Sequence, residues 1–230
     1  AIGVYSTAPE LNSLLKKIKA INQTTPMLDS LGFVASKFSR IDFYHDFPEY
    51  ANHERRMSSN VLSFSCFREQ KQEDDIGIYG LLNQKRTMLY TSKKYVDMSE
   101  LNIHKFKIII PKACGIGTFG EVLANPEILG PSTGFTHTFL GLGGYDTYEE
   151  AASALKYIKT KFARALLGIV KVTQDLNADK WRLIPLQDFT PASDIDWSAS
   201  IADIDRQLYR KYGLNEEEIV FIETHVKEMA

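Results

Sequence analysis

The apolar positions change period along the chain, and each change marks an element. Over residues 9–20 (PELNSLLKKIKA), Leu11, Leu14, Leu15 and Ile18 recur at helical spacing. Pro9 stands in the first turn, where its missing N–H is no loss. Residues 21–60 show no period and carry aromatics at Phe33, Phe38, Phe43, Tyr44, Phe47 and Tyr50. The period then becomes two. NVLSFSCF (60–67) alternates and predicts a strand. IGIYGLL (76–82) and RTMLYT (86–91), separated by Asn83-Gln84-Lys85, predict a hairpin. KFKIIIP (105–111) predicts a strand closed by Pro111, and FGEVL (119–123), HTFLGLGGY (137–145) and WRLIP (181–185) predict three more.

Helical spacing returns at Tyr148. Thr147 and Glu150 form a capping-box pattern. Leu155, Ile158, Phe162, Ala165, Leu166 and Ile169 then extend one apolar stripe, which predicts a single helix from Tyr148 to about Val172. Residues 200–213 predict a second helix ended by Gly213. Residues 215–229 predict a third, with Asn215 as N-cap, Glu218 at the third position and an acidic first turn that suits the helix dipole. The expected class is α+β: a mostly antiparallel sheet, one long packed helix and a C-terminal helical pair. The expected division is one α+β unit over residues 1–190, with a helical extension, 191–230, packed on it.

Composition narrows this little. A chain of 230 residues that is 44% hydrophobic suits a globular protein with a sizeable core. No apolar run approaches the ~20 residues a membrane helix needs, and no signal peptide opens the chain. Cys66 and Cys114 stand far apart, which reads as two reduced thiols in a cytoplasmic protein. The first residue is Ala1 rather than Met, which fits a piece of a longer protein. Net charge is −2, an unpromising sum for a nucleic-acid binder. Its distribution is better. Residues 51–117 hold eleven Lys/Arg against seven Asp/Glu, whereas residues 183–230 hold four against ten, so a basic middle precedes an acidic tail.

Several motifs carry candidate chemistry. Gly115-Ile116-Gly117-Thr118-Phe119-Gly120 has the G-x-G-x-x-G spacing of a dinucleotide or S-adenosylmethionine loop. Pro126 cuts short the helix that should follow, and no strand ending in an acid lies downstream. A plain turn, or a loop close to a DNA backbone with Lys112 beside it, explains the glycines better. Gly77-Ile78-Tyr79 with Leu89-Tyr90-Thr91 faintly matches the strands of a GIY-YIG nuclease, but no arginine lies between Arg86 and Arg164 to serve it. Asp42/Asp46, Asp74/Asp75 and Glu69-Gln70-Lys71 are the raw material of a two-metal nuclease site. The five histidines, His45, His53, His104, His137 and His225, have no zinc spacing, and a satisfied polar role is the default for each. Lys156, Lys159, Lys161, Arg164 and Lys171 suggest a basic face on the long helix, either along phosphates or simply solvated.

Lys171–Glu228 resembles the C-terminal end of adenine-specific DNA methyltransferases from bacterial restriction-modification systems. WRLIPLQDFT (181–190), IDRQLYRKYG (204–213) and EEEIVFIE (216–223) carry most of the likeness; KFKIIIPKACGIGTFGE (105–121) and YIKTKFARALLGIVKVTQ (157–174) fit the same family. The resemblance implies a target-recognition domain for double-stranded DNA. It also implies that catalysis lies elsewhere. Adenine N6 methylation uses an Asn/Asp-Pro-Pro-aromatic loop around a flipped base. This chain has eight prolines and no Pro-Pro pair, and its Asn125-Pro126 is followed by Glu127. The expectation is therefore no cofactor in this chain, with S-adenosylmethionine in a methyltransferase domain of the parent chain or of a partner subunit.

On that reading the phosphate contacts fall to Arg55, Arg56, Lys85, Arg86, Lys93, Lys94 and Lys112. Base reading falls to Asn52, His53, Ser58, Ser59, Asn60, Asn83, Gln84 and Thr118, with Gly115 and Gly117 giving the backbone close approach. Two alternatives stand beside it: a stand-alone Mg²⁺-dependent restriction endonuclease, and a protein-interaction module whose acidic tail docks a partner subunit.

Overall fold

A computed structural model describes residues 8–21 and 25–229, so the first seven residues of the expected 1–190 unit lie outside it. The class is α+β. In chain order the main elements are α1 (Pro9–Ile21), β1 (Gly32–Phe33), α2 (Asp42–Asp46), β2 (Asp75–Leu82), β3 (Lys85–Ser92), β4 (Phe106–Pro111), β5 (Glu127–Leu129), β6 (Thr133–Phe135), β7 (Phe139–Tyr145), α3 (Tyr148–Lys159), α4 (Lys161–Val170), α5 (Ile201–Lys211) and α6 (Glu216–His225). The strands form two sheets. One runs β1-β7-β4-β5 and is antiparallel throughout. The other runs β3-β2-β6, and there β2 pairs antiparallel with β3 but parallel with β6.

Three apolar clusters follow from this layout. The largest joins α1, β4, β7 and the four C-terminal helices, and takes in Ile108, Leu142, Tyr157, Phe162, Trp181, Leu208 and Ile222. Because Ile195, Trp197, Ile204 and Ile222 belong to it, the 191–230 segment is built into the core of the large sheet. The second is aromatic. Phe38 stacks on Phe43 with centroids 3.8 Å apart, and Tyr50 on Phe64 at 4.0 Å, under β2 and β3. The aperiodic aromatics of residues 38–50 thus make a core of their own, in which Phe43 also meets Tyr44 edge-on at 5.1 Å and Phe47 meets Tyr95 at 5.0 Å, the T-shaped arrangement ring quadrupoles favour. Tyr79, Ile109, Leu129, Phe135 and Phe139 fill a third, smaller cluster between the sheets.

The hairpin forms in the expected place. Leu82 pairs with Lys85, leaving Asn83 and Gln84 as a two-residue turn with φ of 49° and 63°. Two positive φ values in succession give the turn whose twist matches the flanking strands. α5 and α6 also form as expected, and Asn215 and Glu218 close a full capping box.

Four expectations are corrected. The stretch 148–172 is two helices, broken at Thr160, whose ψ is 151°. The Thr160 hydroxyl accepts from Ala163 N at 3.1 Å, and the buried Asp205 carboxylate accepts from Lys161 N and Phe162 N, each at 2.9 Å. Together they cap α4 afresh, which a continuous helix would not need. Residues 60–67 are a short 3-10 turn (Val61–Ser63) and bends: Ser63 N and Oγ and Phe64 N bond back within the turn rather than to a neighbouring strand. Residues 181–185 close another 3-10 turn (Ala178–Trp181), and Pro185 makes only an isolated bridge to Met27. Residues 119–123 are turn and coil, with Gly120 against the backbone of His225.

Candidate nucleic-acid interface

The parallel pairing of β2 with β6 has a geometric effect. Tyr79 lies opposite Phe135, and Thr136 N donates to Tyr79 O at 2.9 Å. Both strands therefore finish at the same end of the small sheet. β2 runs on into the Asn83–Gln84 turn, and β6 runs on into Thr136-His137-Thr138. β4 ends here too, because Lys112 N donates to Thr138 O at 2.9 Å. The loop over residues 52–60 is tied to the same place: His137 N donates to Met57 O at 2.8 Å, and Met57 N to Ser36 O at 2.8 Å.

This convergence gathers basic groups. Lys112 Nζ lies 2.8 Å from His137 Nε2. Arg56 is close enough to lower the pKa of both by repulsion, although burial contributes first in each case. Asp175 opposes the shift on both groups, and Glu54 also opposes it on His137. Arg56 reaches Glu54 with Nη2 at 3.2 Å, while its Nε is buried without a hydrogen-bond partner. Lys112 is hydrogen-bonded to no carboxylate among the described residues. At the hairpin tip Asn83, Gln84 and Lys85 are exposed.

The remaining candidates sit differently. Arg86 is held internally: it is ion-paired with Glu127, donates to Asn125 O at 2.8 Å and Ala124 O at 3.1 Å, and lies over the Phe139 ring. It latches the hairpin to the segment before β5. Arg55 is likewise committed, to Asp97 at 2.7 Å and Phe38 O at 3.2 Å. Lys93 and Lys94 follow β3, and so lie at the opposite end of the hairpin from its turn. Lys94 pairs there with Asp46 at 2.7 Å. Asn60 is exposed and accepts from Ser58 Oγ at 2.6 Å.

The glycine loop is occupied by the chain itself. Gly115 and Gly117 have φ of +65° and +86°. The amides of Ile116 (2.9 Å) and Gly117 (3.2 Å) both donate to the Glu121 carboxylate, which is ion-paired with the buried Lys171. Burial pushes the Glu121 carboxyl up, but Lys171 and the two amides outweigh it and the net shift is down. A Cβ on Gly117 would meet Val172 C at 2.5 Å and Thr173 N at 2.6 Å. The amides of Ile116 and Gly117, which could cradle a phosphate or a carboxylate, are thus taken by Glu121. Thr118 is exposed, and its carbonyl accepts from Glu121 N at 3.3 Å.

The expected basic helix face does not form a track. Lys156 donates to Trp197 O at 2.8 Å, Lys161 pairs with Glu223, and Arg164 and Lys171 are buried. Of the acids considered for a nuclease, Asp75 is buried and held by Arg68, Asp46 takes Lys94 and Tyr95, and Glu69 and Asp74 are exposed. Among the described residues no group of three or more His, Cys, Asp or Glu is placed to hold a metal ion. None of the described helices is long and apolar enough to cross a membrane.

His137 is the site residue that sequence reasoning missed. Arg56, Lys112 and His137 are far apart in the chain, and only the strand pairing brings them together. The chain matches no family model, no curated protein and no solved structure.

Proposed function

We propose that this chain is the target-recognition domain of a restriction-modification adenine-N6 DNA methyltransferase, binding duplex DNA sequence-specifically. S-adenosylmethionine and the methyl transfer would belong to a catalytic domain of the parent chain or a partner subunit. The observation that carries the reading is the gathering of Lys85, Arg56, Lys112 and His137 at the sheet end that bears the exposed amides of Asn83 and Gln84. Cationic side chains position a protein on phosphates. Side-chain amides can address adenine N6 and N7 together, and the major groove, about 12 Å wide, admits a two-stranded ribbon. Arg86, locked to Glu127, would hold the ribbon in place without touching DNA.

The test is fluorescence anisotropy with short duplexes at several salt concentrations. Non-specific dissociation constants in the ~10⁻⁴ to 10⁻⁶ M range and a steep salt slope are expected. Lys85→Glu and Lys112→Glu should weaken binding and each reduce the slope by about one. Lys93→Glu, at the far end of the hairpin, should change neither. Equal effects from Lys93 and Lys85 would defeat the assignment of this end as the DNA face, and binding insensitive to salt would favour a protein-docking role.

A further inference from the structure

The contact between Lys112 and His137 constrains a proton. An ammonium has only N–H groups to give, so His137 Nε2, 2.8 Å from Lys112 Nζ, must accept. The imidazole is then neutral, with its proton on Nδ1. Two cationic groups and one neutral base thus stand together at the end of the small sheet, each partly exposed. Arg56 adds an Nε that is buried without a partner. The ionisable groups facing His137 are Lys112 from the end of β4, Arg56 and Glu54 from the loop before β2, and Asp175 from the segment after α4. Glu54 and Asp175 are both exposed, so their opposition to the cations is screened.

We propose that Arg56, Lys112 and His137 bind one tetrahedral oxyanion, and that His137 takes up a proton from solvent as the anion enters. The anion is either a backbone phosphodiester or a free inorganic oxyanion; only the first source rests on the DNA reading. An oxyanion among the three groups reverses what keeps the imidazole neutral. It brings negative charge against the repulsion from Lys112 and Arg56. It also takes over Lys112 as acceptor and gives Nε2 something to donate to. Arg56, Lys112 and a protonated His137 then all donate to one anion, the charge-assisted arrangement that binds phosphate well.

Calorimetric titration of the whole chain with sodium sulfate, and separately with a short duplex, tests this at pH 6 and pH 8. Each titration is run in two buffers of different ionisation enthalpy, so that proton uptake is read directly. Neither sulfate nor a phosphodiester titrates in this window, so any pH dependence belongs to the protein. A rise of one unit in the His137 pKa on binding tightens affinity at pH 6 relative to pH 8 by up to ~10-fold, the full factor being reached only below the value of the free chain. His137→Gln keeps a group that can accept from Lys112 and donate to the anion but cannot titrate, and it should abolish both the uptake and the pH dependence. Lys112→Ala and Arg56→Ala should weaken both ligands, with thermal melts confirming that each variant is folded.

Binding of either ligand with proton uptake that disappears in His137→Gln supports the proposal; the duplex alone would make the anion a backbone phosphate. Sulfate binding with no duplex binding keeps the oxyanion site and defeats the DNA reading. Duplex binding without proton uptake, unchanged in His137→Gln, defeats the oxyanion site and leaves the DNA reading standing. Binding of neither defeats both.

Discussion

Removing the Glu121 carboxylate should unpick the glycine loop. Its partner Lys171 has a side chain only 3% exposed, and Glu121 itself is 14% exposed. Glu121→Ala leaves a buried ammonium without its counter-charge, and leaves the amides of Ile116 and Gly117 without their acceptor. Removing one partner of a buried pair costs about 3–5 kcal/mol. Ile116 is exposed and water can replace part of what is lost, so the low end, about 3 kcal/mol, applies. For a chain of this size that is a fall in melting temperature of roughly 6–12 °C. The Glu121 carboxyl titrates lower in the folded chain than in the unfolded one. The stability it supplies is therefore complete above the unfolded value of about 4.3 and fades as the pH falls through the lower folded value. Circular-dichroism melts of wild type and variant at pH 7, 5 and 3.5 should show a gap that narrows only in acid. Glu121→Ala with Lys171→Met should recover much of the loss, because the stranded charge goes too. A gap below about 1 kcal/mol at pH 7, or one that pH does not change, would refute the pairing as the clasp of this loop.

Three further outcomes follow from local geometry. Gly117→Val sets a β-branched residue at φ +86° with its Cβ 2.5 Å from Val172 C; chemical denaturation should show a loss of at least ~1–3 kcal/mol. Gln84→Gly relieves a positive φ of 63° at an exposed turn position and should gain about 0.5–1 kcal/mol in the same assay. If Gln84 reads a base, that gain comes with reduced discrimination between duplexes. Asp205→Ala strands the Lys161 and Phe162 amides at the start of α4 and should cost about 2 kcal/mol or more. Burial pushes the Asp205 carboxyl up to about 6, so the part of its contribution that depends on protonation is complete below the unfolded value near 3.9 and is lost as pH rises through 6, while the carboxylate goes on accepting from both amides. Stability measured from pH 4 to 7 should therefore decline less steeply in Asp205→Asn than in wild type.

The legible parts of the fold are those decided locally. Alternation in 76–82 and 86–91 around a short polar turn was enough for the hairpin, and Asn215 with Glu218 marked the start of α6. The break at Thr160 was hidden because the apolar stripe runs straight through it; Asp205, forty-four residues after Lys161, joins Thr160 in supplying the caps that make two helices stable. Residues 60–67 alternate convincingly, but the backbone amides of Ser63 and Phe64 bond back within the turn, and the segment packs on β2 through side chains such as Leu62 rather than pairing with it. At the site, Arg56 and Lys112 stood out as cations near loops. His137 had no local signal, since its meaning comes from a strand pairing between β2 and β6. The glycines read better as a plain turn or a DNA-facing loop than as a cradle, yet their loop does form one. What fills it, Glu121, lay four residues away in plain sight, while the Lys171 that completes it is fifty residues on.

The Arg86 latch divides the hairpin into a part that keeps its address and a part that is free to drift. Glu127 receives the guanidinium with its carboxylate, and Ala124 and Asn125 with backbone carbonyls, so change at Glu127 is coupled to change at Arg86. Asn83, Gln84 and Lys85, one step away, are exposed at a turn that the latch already holds in position. New side chains that tolerate the positive φ of positions 83 and 84 can be tried there without disturbing the scaffold. The tip is in that sense an exchangeable cartridge, and a library confined to positions 83–85 should return folded proteins at a rate that a library including position 86 cannot match.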